Sequence, residues 1–288
     1  MPERPDLEYF VPILDRELRG AKISAVRVPK PVVLRLAMEG TPETLLVGRT
    51  IDQVSRRAHF VIFTWKDDAP TELVVSPMLA GRFTIAAQGS KAPADTAVAF
   101  SLADGRELRY RDDVQMGKVY VIPRGAWEQV PGFAKVGVDV LNAKKFTREA
   151  FRALAKKRRD QVKVFLMDKS ALDAMGNAYA DEVMWEAQLH PKTMVRSLDE
   201  DRLDRLHDAI VKVLGDARKT IADRKPPIDE KIRDFLKVRG RHGEPCPRCG
   251  EKIRSAGVHG HDAEFCPHCQ PDDRGSSIVD WRKAKPPA

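Results

Sequence analysis

Cys246-Pro247-Arg248-Cys249 and, sixteen residues on, Cys266-Pro267-His268-Cys269 hold every cysteine of the chain. Two C-x-x-C pairs at that spacing suit one tetrahedral Zn²⁺, each pair forming a knuckle. Gly250 follows the first pair, where a tight turn needs positive φ. Two disulfides are the alternative use of four thiols. The charged opening Met1-Pro2-Glu3-Arg4-Pro5-Asp6 is not a secretory signal, however, and a reducing compartment keeps thiols free. No residue pattern leaves an open coordination position, so the zinc is expected to be structural. Between the knuckles, Ile253-Arg254 and Glu264-Phe265 read as two strands of a hairpin. Its tip, Gly257 to Asp262, carries His259 and His261.

Working back from this element, 288 residues leave room for two ordinary domains besides it. The net charge of +8 favours an anionic partner such as nucleic acid or a membrane surface. No run of eighteen apolar residues marks a membrane span, and the expected location is the cytoplasm, on the nucleoid.

At the front, removal of Met1 ahead of Pro2 leaves a secondary amine. With a pKa of roughly 8 it is partly unprotonated at neutral pH and nucleophilic toward a carbonyl or sugar carbon. Glu3 beside it suits proton transfer. Leu7, Phe10, Val11, Leu14 and Leu18 fall at helical spacing, interrupted by Pro12. Alternating or β-branched runs then predict strands at Ile23–Val28, Val32–Ala37, Leu45–Val47, Phe60–Trp65, Leu73–Ser76, Ala97–Leu102, Leu108–Arg111 and Val119–Ile122. Gly40, Asp67-Asp68 and Ala103-Asp104-Gly105 punctuate them, the pattern of a β-sandwich. Met78-Leu79-Ala80-Gly81 and Val114-Gln115-Met116-Gly117 place apolar side chains in loops, where they could wedge into a base stack or close the edge of a core.

Beyond Pro131-Gly132 the chain turns helical. A basic helix is expected from Phe146 to Arg159. Val162, Phe165 and Leu166 follow as core, with Lys163 among them. Asn177 is a good N-cap for a helix from Ala178 to Leu189. Ser197-Leu198-Asp199-Glu200 has capping-box form before a stripe of Leu203, Leu206, Ile210, Val213, Leu214 and Ala217. Two helices so joined form a helix–turns–helix unit, used to grip nucleic acid or simply as a bundle. A linker, Arg224-Lys225-Pro226-Pro227, and a short helix from Ile228 to Val238 lead to the zinc element.

Pro2-Glu3-Arg4-Pro5-Asp6-Leu7-Glu8, Met175-Gly176-Asn177-Ala178-Tyr179-Ala180-Asp181-Glu182, His190-Pro191 and Gly240-Arg241-His242-Gly243-Glu244-Pro245-Cys246 occur in this order. Together with the remaining cysteines the set resembles the formamidopyrimidine-DNA glycosylase / endonuclease VIII family. The resemblance implies an α+β fold: an N-terminal β-sandwich (1–130), a helix-two-turns-helix domain (131–223), a linker helix and zinc-finger β-hairpin (224–270), and a flexible tail (271–288). It implies a monomeric bifunctional DNA glycosylase and abasic-site lyase of base excision repair, acting on double-stranded DNA with a damaged base or abasic site. Pro2 would be the Schiff-base nucleophile and Glu3 the proton donor. Lys163 and Asn177 would hold phosphates, His261 would meet the backbone from the hairpin tip, Leu79 and Met116 would enter the stack, and Cys246, Cys249, Cys266 and Cys269 would bind one Zn²⁺. His59 stands where the family carries a catalytic lysine, and His261 where it carries an arginine. The stretch Ile221–Asp229 is short beside the family's lesion-capping loop. A binder of abasic or lesion-containing DNA that lacks catalysis, or retains only the lyase step, is the alternative.

Overall fold

The computed structural model describes residues 2–173 and 175–272; Met1, Ala174 and residues 273–288 of the expected tail lie outside them. The chain divides into two compact units. The first comprises Met1–Lys145, Asp168–Gly176 and Leu214–Asp234; the second comprises Phe146–Met167, Asn177–Val213 and Phe235–Ala288.

The first unit is a β-sandwich with a helix against it. Helix α1 (Arg4–Leu18) continues through Pro12, which lies on its exposed side. Strands β1 (Ile23–Arg27), β7 (Thr96–Leu102), β8 (Arg106–Arg111) and β6 (Arg82–Ala87) form one sheet in that order. The other runs β2 (Leu34–Leu36), β9 (Lys118–Pro123), β5 (Thr71–Ser76), β4 (Phe60–Trp65) and β3 (Ile51–Arg57). Side chains alternate across each strand. Val61, Phe63, Leu73, Val75, Val119 and Val121 therefore face Phe83, Val98, Phe100, Leu108 and Tyr110 in one core that also takes Leu7, Phe10 and Leu14 of α1. Phe60, Ile62, Val74 and Ile122 point the other way, onto Val130 and Phe133. Burial on both faces is why β4 reads as an unbroken apolar run.

Two expected segments fold differently. Leu45–Val47 is not a strand; helix α2 (Pro42–Leu46) occupies the site. Thr41 caps it reciprocally with Thr44, the Thr44 N–H meeting Thr41 Oγ1 at 3.3 Å and the Thr41 N–H meeting Thr44 Oγ1 at 2.9 Å, with Pro42 in the first turn. Ile228–Val238 is not a helix. Side-chain ties at Asp229, Lys231 and Arg233 hold it as an irregular strap instead.

The second unit contains α3 (Arg148–Ala155), α4 (Val162–Met167), α5 (Asn177–Glu186) and the first part of α6 (Glu200–Arg224). The basic helix is thus shorter than Phe146–Arg159. Asp199 rather than Ser197 caps α6, accepting from the Arg202 N–H at 2.8 Å. Asn177 is the first residue of α5 rather than its cap. Phe146, Phe151 and Phe165 pack in series, and His207 stacks on Phe146 with ring centroids 4.7 Å apart. Strands β10 (Arg254–Val258) and β11 (His261–Phe265) form the zinc hairpin. Val258 pairs with His261, leaving the two-residue turn His259-Gly260 with φ of 46° and 77°. Both angles lie in the left-handed region that such hairpin turns require.

Candidate active site and metal centre

Residue 2 lies just ahead of α1, whose first turn is fixed by charge. Arg4, almost wholly buried, pairs with Asp173 and, at 2.9 Å, with Asp139. Arg56 of β3 joins the same cluster, reaching Asp173 at 3.2 Å and Glu8 at 2.7 Å. Burial raises the Asp173 carboxyl pKa, and the two guanidiniums work against that rise. Desolvating such groups is tolerable only because they are paired and hydrogen-bonded.

Glu3 is 3 % exposed. Its Oε2 accepts the Gly176 N–H at 2.8 Å, and its own N–H donates to Asp6 at 2.8 Å. A Cβ on Gly176 would stand 2.7 Å from the Glu3 carboxyl carbon, so glycine is required for the carboxylate to lie there. Pro2 lines a small cavity with Asp6, Phe10, Gly81, Arg82 and Lys231.

His59 follows Ala58 in the β3–β4 turn. It is 8 % exposed, packs on Phe60 with ring centroids 4.0 Å apart, and its Nδ1 has no hydrogen-bond partner among the described residues. Burial, aided by the charge of Lys169, pushes its pKa down to about 3, so the ring is neutral at physiological pH. Sequence reasoning passed over Lys169. Burial lowers the pKa of this ammonium while the Glu3 charge raises it, so the lysine lies within electrostatic reach of both Glu3 and His59. Its signal in the sequence was a cation eight residues before Asn177.

Leu79 and Met116 are 53 % and 44 % exposed, on loops that are otherwise firmly held. Asp112 accepts the N–H groups of Val114, Gln115 and Gly117 at 2.7–3.1 Å. Tyr110 lies under both loops: a Cβ on Gly81 or on Gly117 would collide with its hydroxyl at 2.3 or 1.8 Å. Met78 and Gln115 in these loops have positive φ without being glycine, as do Ala58, Gln188, Lys225 and His259 elsewhere in the chain.

In the second unit Lys163 is fully buried and donates to Asp181 at 2.5 Å. The ammonium that the sequence analysis expected to meet a phosphate is here paired with a buried carboxylate. Asp181 also accepts from Arg239 and from the Glu264 N–H, both at 3.1 Å, tying α4 and α5 to the hairpin. Asn177 donates to Asp262 at 3.0 Å, and Arg239 pairs with Asp262 at 2.7 Å. His261 is exposed at the hairpin end. Glu182, which closes the Met175–Glu182 motif but was given no role from the sequence, is buried and accepts three consecutive N–H groups, from Lys237, Val238 and Arg239, at 2.7–2.9 Å.

The four cysteine sulfurs lie within 4.8 Å of one another. Zn–S bonds of about 2.3 Å in a tetrahedron place sulfurs about 3.8 Å apart, close to the 3.4–4.0 Å separations here. The Trp185 indole N–H points at Cys246 Sγ, 3.4 Å away, and Arg248 stacks on that indole. The set holds one structural Zn²⁺.

A β-sandwich, a helix-two-turns-helix unit and a four-cysteine hairpin define a zinc-containing nucleic-acid-binding protein. Residues 1–119 match the formamidopyrimidine-DNA glycosylase N-terminal domain, 136–224 its H2TH domain, and 243–271 the zinc finger found in FPG and IleRS. Formamidopyrimidine-DNA glycosylase of Brevibacillus brevis is 32% identical over 94% of this chain and 99% of its own length. That of Cytobacillus firmus is 31% identical over 94% and 100%. The Lactococcus lactis enzyme bound to DNA with an oxidized pyrimidine superposes with a TM-score of 0.83 at 28% identity, covering 94% of this chain and all of that one. Its complex with abasic-site DNA gives 0.83 at 27% identity, with the same coverage. The chain belongs to the formamidopyrimidine-DNA glycosylase family. No helix among the described residues is long and apolar enough to cross a membrane.

Proposed function

We propose that this protein is a DNA glycosylase and abasic-site lyase acting on damaged duplex DNA, with the Pro2 amine as nucleophile once Met1 is removed. The observation that carries the reading is the buried Glu3 carboxylate, held on the Gly176 N–H next to residue 2 in sequence. The Pro2 nitrogen adds to the sugar C1′ while the bond to the base or to the ring oxygen breaks, and Glu3 gives the ring oxygen its proton. The added nitrogen gives up its one proton, and the remaining C1′–oxygen bond breaks, the ring C1′–O4′ bond after base loss or the carbinolamine hydroxyl, lost as water, at an abasic site, which leaves a C1′ iminium. The cation acidifies the C2′ hydrogen, and loss of that proton expels the 3′ phosphate by β-elimination. A damaged base must leave the helix to be reached; Leu79 and Met116 are the side chains proposed to fill its place.

Borohydride converts the iminium to a stable amine. The processed protein is expected to be trapped on abasic DNA, with its intact mass showing loss of Met1. Pro2→Gly should cut trapping at least tenfold. A protein that binds abasic DNA with no adduct and no strand cleavage favours the second reading, a non-catalytic binder. What favours that reading is His59, which carries no charge for a phosphate.

A further inference from the structure

The segment 168–176 is fastened to the rest of the first unit at several points. The Gly137 N–H donates to the Lys169 carbonyl at 2.8 Å, an approach so close that a Cβ on Gly137 would stand 2.2 Å from the Ala171 carbonyl carbon. The Asp173 N–H donates to the Val138 carbonyl at 2.9 Å. The Asp173 carboxylate holds Arg4 and, at 3.2 Å, Arg56, which also donates to the Ala58 carbonyl at 3.1 Å. The Gly176 N–H meets Glu3 at 2.8 Å. One segment thus touches Glu3 directly and reaches the turn of His59 through Arg56. Lys169 lies on it, half-buried, and its charge acts on both Glu3 and His59.

A DNA strand whose sugar is brought to residue 2 carries a phosphate on each side of that sugar. The phosphate approaches a site rich in its own sign. Arg4 and Arg56 are engaged by Glu8, Asp139 and Asp173, carboxylates that outnumber them before Glu3 is counted. His59 is neutral and offsets none of this. Like charges repel more strongly where water is excluded, so a phosphate beside Glu3 needs a cation between them. We infer that Lys169 contacts the phosphodiester of the sugar that Pro2 attacks, its ammonium supplying the positive charge that residue 59 lacks. This rests on the proposed DNA substrate and names a residue that receives it. Burial disfavours the Lys169 ammonium and the Glu3 charge favours it; a phosphate oxygen adds a second anion and favours it further. A backbone contact of this kind serves every base sequence alike.

Binding of zinc-loaded full-length protein to a duplex with a tetrahydrofuran abasic analogue, measured by anisotropy over a salt series, reads the contact without any chemistry at Pro2. Lys169→Gln is expected to make the slope of log K against log salt shallower by about 0.9, the loss of one neutralised phosphate. It is also expected to cut borohydride trapping on abasic DNA at least tenfold. Lys169→Arg, which keeps the charge, should keep the wild-type slope. An unchanged slope in Lys169→Gln overturns the inference, as does a slope in Lys169→Arg as shallow as that of Lys169→Gln. If the variants fail to fold, acetylation of the wild type decides. Modification of Lys169, read by mass spectrometry, should fall at least threefold on the duplex; equal modification with and without DNA overturns the contact. A wild type that binds the duplex but is never trapped removes the Pro2 reading and leaves the slope test standing, so the two failures are told apart.

Discussion

At the scale of single residues, His59 makes the most measurable statement. Its folded pKa lies near 3, whereas an unfolded histidine titrates near 6.5. Between those values the unfolded chain binds a proton that the folded one refuses. Stability is therefore kept above about pH 6.5 and lost progressively as pH falls toward 3. By pH 5 the loss from this one group is about 2 kcal/mol. The fall in unfolding free energy from pH 7 to pH 5 should thus be about 2 kcal/mol smaller in His59→Gln than in the wild type. Equal falls would mean the ring is charged in the native state. None of this was legible in the sequence, where His59 was marked only as standing in the place of a catalytic lysine. The apolar run that follows draws the turn inward, and Phe60 covers the ring.

At the scale of elements, the ion pair between α4 and α5 carries the prediction. Lys163→Met leaves Asp181 buried with only Arg239 opposite, at 3.1 Å. The expected cost is about 3–5 kcal/mol in urea unfolding. The slope of log K against log salt for duplex binding should not change. A slope shallower by about 0.9 would return Lys163 to a phosphate. Elements with strong local grammar were readable: Phe60–Trp65 agrees to the residue, and the cysteine hairpin and α1 were both expected. Strand β3 was missed because Ile51–Arg57 is mostly polar, and β6 because Arg82–Ala87 is short and ends on two alanines; both gain their order from neighbours in the sheet. Leu45–Val47 looked like a strand from its composition, while the decisive signal lay just upstream in Thr41-Pro42. The strap was read as helical because its ties run to Asp6, Leu79 and Arg111, over a hundred positions away.

At the scale of the whole molecule, motifs at both ends and in the middle fixed the family, but the Arg4–Asp173–Arg56 cluster that orients residue 2 is invisible to any local reading. Chelating the zinc should release the packing of Trp185, Val238, Cys246 and Ile253. Because the Trp185 N–H points at Cys246 Sγ, the first sign should be a change in its emission, absent in Trp185→Phe. Loss of duplex affinity is expected alongside, reversed by added Zn²⁺. Full affinity in the metal-free protein would separate the hairpin from DNA contact.

One phenolic oxygen sits against two glycines from different loops, Gly81 and Gly117, with no slack on either side. A side chain added at either glycine is therefore expected to push the Tyr110 ring and disturb the loop of Leu79 and that of Met116 together.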